Sequence, residues 1–387
     1  MDFELTQEQA ALRQTVRNFA QREIATGAAE RDESCRFPHE LIPKMAELGL
    51  FGIMVPESYG GAALDALSLA VIIEEIAAAD AAVALMVASH NSLSAGHVGA
   101  FGSEAQKRKF LVPLARGEKL GAWALTEPEA GSDAQSLVSR AFLNGNTWVL
   151  NGEKAFITQG STAGVYVIMA ATDPSRGRDG ISAFIVERER TGLEVVRVEN
   201  KLGVRASDTA QIRFDNVQLP NENVLGELNC GYRDAMTILD GGRIGIGAMA
   251  VGIARAALKQ SIAYAKQRRQ FGKPIAEFEA IQWKLADIAT EIDAARLLVY
   301  RAADLRQCGQ PYRRLASEAK LFASEVAMHA TKEAIQVHGG AGYMKSSPVE
   351  RYFRDAKICE IGEGTSEIQR MVIARQLLRR ADVTAGK

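Results

Sequence analysis

Ile361-Gly362-Glu363-Gly364-Thr365-Ser366-Glu367-Ile368-Gln369 sets one carboxylate between two glycines and follows it with a hydroxyl and an amphipathic run. Glycine on both sides of Glu363 lets the backbone approach a ligand closely. Thr365 stands where a helix N-cap stands, three residues ahead of Ile368. The pattern puts Glu363 on a turn that projects into a cleft at the start of a C-terminal helix. Taken alone, the string reads equally well as a solvated turn, so its meaning depends on the rest of the chain.

Outward from this turn, everything after Asn229 reads as helix. Gly231 to Arg268, Ala280 to Gln307, Arg313 to His338 and Glu367 to Arg380 carry long helical patterns separated by Gly or Pro signals. Upstream, from about Gly121, the texture changes to short β-branched and aromatic runs. Thr147-Trp148-Val149-Leu150, Val165 to Ile168, Ile181 to Val186 and Gln211 to Phe214 read as strands, with Asn144-Gly145 as a hairpin signal. Strands this short, without intervening helices, predict an antiparallel sheet or small barrel rather than a nucleotide-binding βαβ layer. From about Thr6 to Leu120 the chain is helical again. Thr6-Gln7-Glu8-Gln9 is a capping start, and Leu67 to Asp80 is apolar enough to be buried on most of its circumference. The order predicts an α+β chain with an N-terminal helical domain over 1–120, a middle antiparallel β-domain over 121–228 and a C-terminal four-helix bundle over 229–387.

Composition excludes several classes. Lys and Arg number 46 against 47 Asp and Glu, so the net charge of −1 gives no footprint for nucleic acid. Cys35, Cys230, Cys308 and Cys359 lie far apart without a Cys-x-x-Cys, and the five histidines show no ligand spacing. Neither a metal site nor a disulfide framework is signalled. A reducing compartment, the cytoplasm by default, is the expectation. Met1 to Thr6 does not read as a secretory signal, and no apolar run approaches the roughly 20 residues that span a bilayer. Val383 to Lys387 reads as a frayed tail.

Two further stretches carry chemistry. Ala124-Leu125-Thr126-Glu127-Pro128-Glu129-Ala130-Gly131-Ser132-Asp133 combines hydroxyls, glycine and amides suited to a planar heterocycle or a phosphate, though as a string it is also an ordinary loop. Asn151 to Thr158 sets Phe156 two residues before Thr158, on one face if the segment is extended. Phe156 then packs on a ring, or is simply core.

Together these stretches resemble the acyl-CoA dehydrogenase family, in order over nearly the whole chain. The family's Thr-Glu-Pro-x-x-Gly-Ser-Asp pattern lies at Thr126 to Asp133 and its Gly-x-Lys-x-aromatic-Ile-Thr pattern at Gly152 to Thr158. Lys201 to Arg205, Phe214 to Val217, Leu239-Asp240 with Arg243, Arg268 to Ile275, Leu285 to Asp287, Gln336 to Gly340 and the Glu-Gly-Thr turn complete the series. The resemblance is greatest to short-chain, butyryl-CoA-type members.

The resemblance implies an FAD enzyme that removes a proton from Cα of an acyl-CoA, passes the β-hydrogen to flavin as hydride, and leaves a trans-2-enoyl-CoA. Glu363 is the implied catalytic base. Leu125, Thr126 and Thr158 would hydrogen-bond the flavin ring, with Trp123 and Ile157 beside it and Phe156 packed against it. Ser132 would face both the FAD pyrophosphate and CoA. Arg268, Gln270 and Phe271, with Gln336, Val337, Gly339 and Gly340, would reach a neighbouring subunit's FAD in a homotetramer, and Thr365 and Glu367 would complete the cofactor contacts. Gly364 would serve the thioester, and Asp240 and Arg243 would help bind CoA or hold the base loop, with an internal ion pair as the alternative. An electron-transferring flavoprotein would take the electrons.

Some relatives carry the base earlier, at the position of Gly242, where this chain has no carboxylate. Phe156 replaces a more usual Trp or Tyr, Gln159 stands where Asn is frequent, and Gly362 stands where Tyr often precedes the base. Glu279 stands where many members have Gln, so that contact is not carried over. Ala84 holds the place of an Arg found in glutaryl-type relatives, which argues against an acidic acyl tail. His90 either meets a polar acyl group or is a satisfied structural histidine. Rival readings are an acyl-CoA oxidase using oxygen, a non-catalytic flavin- or acyl-CoA-binding relative, and an all-helical scaffold. An NAD-linked enzyme is disfavoured because no Gly-x-Gly-x-x-Gly follows a strand.

Overall fold

The computed structural model describes residues 4–384, and side chains through residue 378. Residues 385–387 of the expected C-terminal tail, and residues 1–3 of the N-terminal stretch, lie outside the described residues.

The chain begins with helix Gln7–Phe19, closed by a reciprocal cap in which Thr6 Oγ1 accepts from the Gln9 N–H and Gln9 Oε1 accepts from the Thr6 N–H. Helix Ala66–Ala77 is buried along almost its whole length, as its composition predicts. Its two carboxylates are the exception to an apolar surface, and they knit the helices together. Glu75 accepts paired hydrogen bonds from Arg17 and from Arg255, and Glu74 accepts from Arg296 and Tyr300. Removing one partner from such a buried network costs about 3–5 kcal/mol.

The middle block is an eight-stranded sheet. Its strands are β1 Gly121–Ala124, β2 Arg140–Asn144, β3 Thr147–Thr158, β4 Val165–Ala171, β5 Ile181–Glu187, β6 Leu193–Val198, β7 Thr209–Pro220 and β8 Val224–Leu225. The order is β6-β7-β3-β2-β4-β5-β8, with β1 beside β4. The expectation of a purely antiparallel sheet needs correction. β1 runs parallel to β4 through four residue pairs, and β2 meets β4 in parallel at Arg140 and Ala171. The forty residues between β1 and β4 hold the whole β2–β3 hairpin, which is more than enough chain for a parallel return. β1 escapes a pattern search because Gly-Ala-Trp-Ala is buried at every position and shows no alternation.

Four long helices, Gly231–Gln267, Glu279–Gln307, Arg313–His338 and Ser366–Thr384, make the C-terminal bundle. Gly231–Gln267 is, among the described residues, the one helix long and apolar enough to cross a membrane, a run the sequence reading passed over. Its most apolar window is 83% buried inside the protein, as a core helix would be. One apolar core joins the N-terminal helices to this bundle, and a second lies between those helices and the sheet. The second core contains Leu93, Trp123, Leu125 and Ile238, and it sits against the site described next.

Candidate active site

Helix Ile358–Ile361 ends when the Gly362 N–H donates to Ile358 O at 2.8 Å. Glu363 (φ +55°) and Gly364 (φ +96°) then both turn left-handed. For glutamate this conformation costs of the order of 1–3 kcal/mol and persists only where the surroundings impose it. Two buried side chains impose it here. Lys320 Nζ donates to Gly364 O at 2.8 Å, and Gln369 Nε2 donates to the same oxygen at 2.8 Å and to Glu363 O at 3.3 Å. Thr365 caps the helix that follows, its Oγ1 accepting from the Ile368 N–H at 3.4 Å.

The Glu363 carboxylate points at the Gly231–Gln267 helix. Its Oε2 is buried and has no hydrogen-bond partner among the described residues. A Cβ added to Gly242 would lie 1.9 Å from that oxygen, so the carboxylate occupies the space a side chain at 242 would need. Glycine at 242 and glutamate at 363 are therefore one device: a side chain at 242 and this placement of the carboxylate exclude each other. Burial lifts the Glu363 carboxyl to about 7, against the opposing pull of Lys320 and Arg243. A carboxylate tuned to this range is matched to proton abstraction near neutral pH.

Arg243 donates to Asp240 Oδ1 at 2.6 Å and to Ser317, and Arg313 donates to Asp240 Oδ2 at 2.5 Å. Asp240 and Arg243 thus form the internal ion pair, flanking Gly242 in the helix.

The two flavin-type motifs lock onto each other. Glu127, from the Thr-Glu-Pro loop, accepts from Lys154 Nζ at 2.7 Å and from the Val138 and Ser139 N–H groups. Lys154 Nζ also donates to Leu125 O at 3.0 Å, and the Ala155 N–H donates to Thr126 O at 2.9 Å. Burial pushes the lysine down to about 8, partly offset by its carboxylate partner. This explains why the lysine sits in the strand motif and the glutamate in the loop motif: each satisfies the other inside the protein.

Beside this lock the β3–β7 register slips between Lys154 and Ile157, and Phe156 adopts φ +59°. Phe156 is 63% exposed, so the core reading fails for it. Ile157 turns into the core and Thr158 stays partly accessible. Ile157 and, in the bundle, Val337 have buried side chains, so only their backbone can meet a cofactor. Trp123 donates its Nε1–H to His97 Nδ1 at 3.0 Å, which keeps His97 neutral; burial holds that imidazole down at about 3. An exposed aromatic on a bulge, beside the Thr126 and Thr158 hydroxyls, fits a planar ring such as a flavin.

His90 resolves as structural. Its Nε2–H donates to Leu114 O at 3.1 Å and its Nδ1 accepts from the Gly121 N–H at 3.1 Å, linking the end of the N-terminal helices to the start of β1. Fully buried, it is held neutral with its pKa near 4, so it has no capacity left for substrate.

The remaining residues lie elsewhere in the protomer. Arg268 follows the helix that carries Gly242, 26 residues on, or about 39 Å along the axis. It opens a small hairpin, Arg269–Gln270 against Lys273–Pro274, with Phe271 and Gly272 both left-handed at the tip and Phe271 94% exposed. Gln336, Gly339 and Gly340 reach the same end of the bundle, where His338 stacks on Tyr264 at 4.3 Å. Ser132 and Glu367 are exposed on their own segments. One protomer therefore assembles two separate groups of sites.

Sequence reasoning missed Lys320, Gln369 and Leu93. The signal for Lys320 was present as a single cation in Ala319-Lys320-Leu321-Phe322, on the face of the helix that is otherwise apolar.

A sheet flanked by two helical blocks, an exposed aromatic and a buried carboxylate aimed at a glycine helix fit a flavin-dependent dehydrogenase. Comparisons give the particular family. The sequence matches the N-terminal domain of acyl-CoA dehydrogenases over residues 6–118, the middle domain over 122–217 and the C-terminal domain over 229–378. It is 48% identical to the short-chain specific acyl-CoA dehydrogenase of Clostridium acetobutylicum, over 98% of this chain and 100% of that one. The butyryl-CoA dehydrogenase structure from Megasphaera elsdenii matches with TM-score 0.96 and 46% identity, over 98% of this chain and 100% of that one. A chain in a structure of the electron transferring flavoprotein of Acidaminococcus fermentans matches with TM-score 0.97 and 45% identity, over 98% and 100%. The chain belongs to the acyl-CoA dehydrogenase family; it is an FAD-dependent enzyme that dehydrogenates an acyl-CoA.

Proposed function

We propose that the substrate is a short acyl-CoA and that Glu363 removes its Cα proton. The single observation that carries this reading is the buried, unpartnered Glu363 oxygen set in the space at Gly242. The chemistry is an elimination: Glu363 takes the Cα proton as the β-hydrogen leaves with its electron pair, and the Cα–Cβ single bond becomes double. FAD, when bound, supplies the hydride acceptor. Leu125, Thr126, Phe156 and Thr158 would hold its ring, and the protein's own part is to orient the thioester, exclude water and hold the base.

Chain length is argued from the next glycine along the helix. A Cβ at Gly245 would sit in ordinary contact with Ile73 Cδ1 at 3.4 Å, Ala88 Cβ at 3.5 Å and Ser92 Oγ at 3.7 Å, so these side chains line the space one turn from the base. Leu93 closes in beside Gly242. Side chains lining the space this close to the base support a short acyl group, in keeping with the short-chain and butyryl-CoA relatives.

The distant hairpin and the Gln336–Gly340 segment support a homotetramer in which Arg268, Gln270 and Phe271 contact a neighbouring subunit's FAD. An almost fully exposed phenylalanine in a strained conformation wants a partner, and about 39 Å of helix separates it from its own Glu363. An electron-transferring flavoprotein is the proposed acceptor, on the likeness to the Acidaminococcus chain. Four free cysteines accord with a reducing compartment.

The test is anaerobic addition of acyl-CoAs of increasing length, branching and polarity to the FAD-loaded protein, followed by flavin absorbance. Butyryl-CoA is expected to bleach the flavin fastest. Preference for a long or dicarboxylic acyl group would overturn the short-pocket reading.

A further inference from the structure

Lys320 is a lysine with no exposed surface in helix Arg313–His338. Among the described residues it makes no ion pair; its hydrogen bond goes to a neutral acceptor, Gly364 O, at 2.8 Å. Gln369 already donates to that same oxygen at the same distance. The turn therefore does not need Lys320 merely as a donor. A buried ammonium is costly unless an anion answers it, so what Lys320 adds is charge.

The elements around the turn leave one anion for Lys320, and helix Glu279–Gln307 adds a further buried cation, Arg306, beside Gly241. On the Gly231–Gln267 helix the facing charge is Arg243, itself bound to Asp240, which also holds Arg313. On helix Ile358–Ile361 the Cys359 thiol is pushed up to about 12 by burial and stays neutral, and Glu360 is engaged by Lys357 at 2.5 Å. The final helix presents neutral Gln369, and the His90–Ala95 segment presents apolar Leu93. The carboxylate left without a hydrogen-bonding partner is Glu363.

We propose that Lys320 is a positioning residue for the base: it fixes the Gly364 carbonyl, and its uncompensated charge favours the carboxylate form of Glu363. The inference rests on Glu363 being the base. Burial brings the ammonium down to about 8, so it is charged across the range in which Glu363 ionises and is lost just above it.

The test compares the parent with Lys320→Met, Lys320→Gln and Gln369→Leu, all FAD-loaded. Two profiles are recorded against pH: the anaerobic rate of flavin reduction by butyryl-CoA, and the infrared titration of the Glu363 carboxyl without substrate, assigned by difference from Glu363→Gln. In Lys320→Met both midpoints are expected to rise by on the order of one pH unit, which lowers the rate below neutrality about tenfold. Above pH 8 the two rates should converge, because the parent lysine is then neutral too. Gln369→Leu should slow reduction at every pH without moving either midpoint. Lys320→Gln repeats the test should the methionine variant fail to fold. An unmoved midpoint in the lysine variants, or a rate depressed equally at all pH, overturns the proposal. If Glu363→Gln still reduces flavin at the parent rate, the reading of the base has failed instead.

Discussion

Gly242→Ala is the sharpest perturbation of this site because it adds one methyl group where the Glu363 carboxylate now lies. The new Cβ would stand 1.9 Å from Oε2 and 2.9 Å from the carboxyl carbon, with Leu93 Cδ2 at 3.1 Å on the other side. Ordinary contact needs about 3.4 Å, so the carboxylate must retreat by about 1.5 Å; the methyl cannot, because it is fixed to the helix. A displacement of about 1 Å at a reacting group costs about a hundredfold in rate. Alanine within a helix is otherwise favoured over glycine by about 0.5–1 kcal/mol, so the fold gains or holds stability. The expected result is flavin reduction slowed about a hundredfold, with thermal stability and bound flavin intact. Stopped-flow absorbance under anaerobic conditions measures it. Reduction within a fewfold of the parent rate would refute the claim that Glu363 occupies the space at Gly242.

Two other consequences can be measured on the same protein. Lys154→Met strands Glu127 inside the protein and should cost about 3–5 kcal/mol with loss of bound flavin, whereas adding Glu127→Gln should restore part of that stability; thermal melts with flavin release measure both. Asp355, buried at the end of helix Pro348–Ala356, accepts from the Val204 N–H at 2.5 Å, and burial raises its carboxyl from 3.8 to about 7. A raised acid favours the fold fully below about pH 4, and that contribution is lost as pH climbs from there to about 7. Asp355→Asn keeps the acceptor and should therefore gain stability over the parent progressively from about pH 4 to 7 and stay level above that, by at most about 4 kcal/mol. A melting difference independent of pH would count against it.

Much of this architecture can be read from the residues. The helix, sheet, helix order follows from periodicity, and the Glu-Gly-Thr turn from its glycines and cap. What the sequence hides is whatever depends on distant segments meeting. The parallel seat of β1 is invisible because a strand buried on both faces has no alternation. Lys320 and Gln369 are 49 residues apart in the chain, yet they converge on one carbonyl oxygen that sequence cannot show. Glu127 and Lys154 belong to two motifs, and that they satisfy each other emerges only when β3 lies beside the loop. His90 looks like a pocket residue by position, but its two backbone hydrogen bonds make it a strut between blocks.

The most direct measurement of the central claim uses Glu363→Gln, which keeps the size of the side chain and removes its capacity to accept a proton as a carboxylate. The FAD-loaded variant is mixed anaerobically with butyryl-CoA beside the parent. The account predicts that the variant still binds the thioester, seen as a perturbation of the flavin spectrum, while bleaching falls by several orders of magnitude. Bleaching at the parent rate would contradict it, because the proton would then have to leave by way of another group.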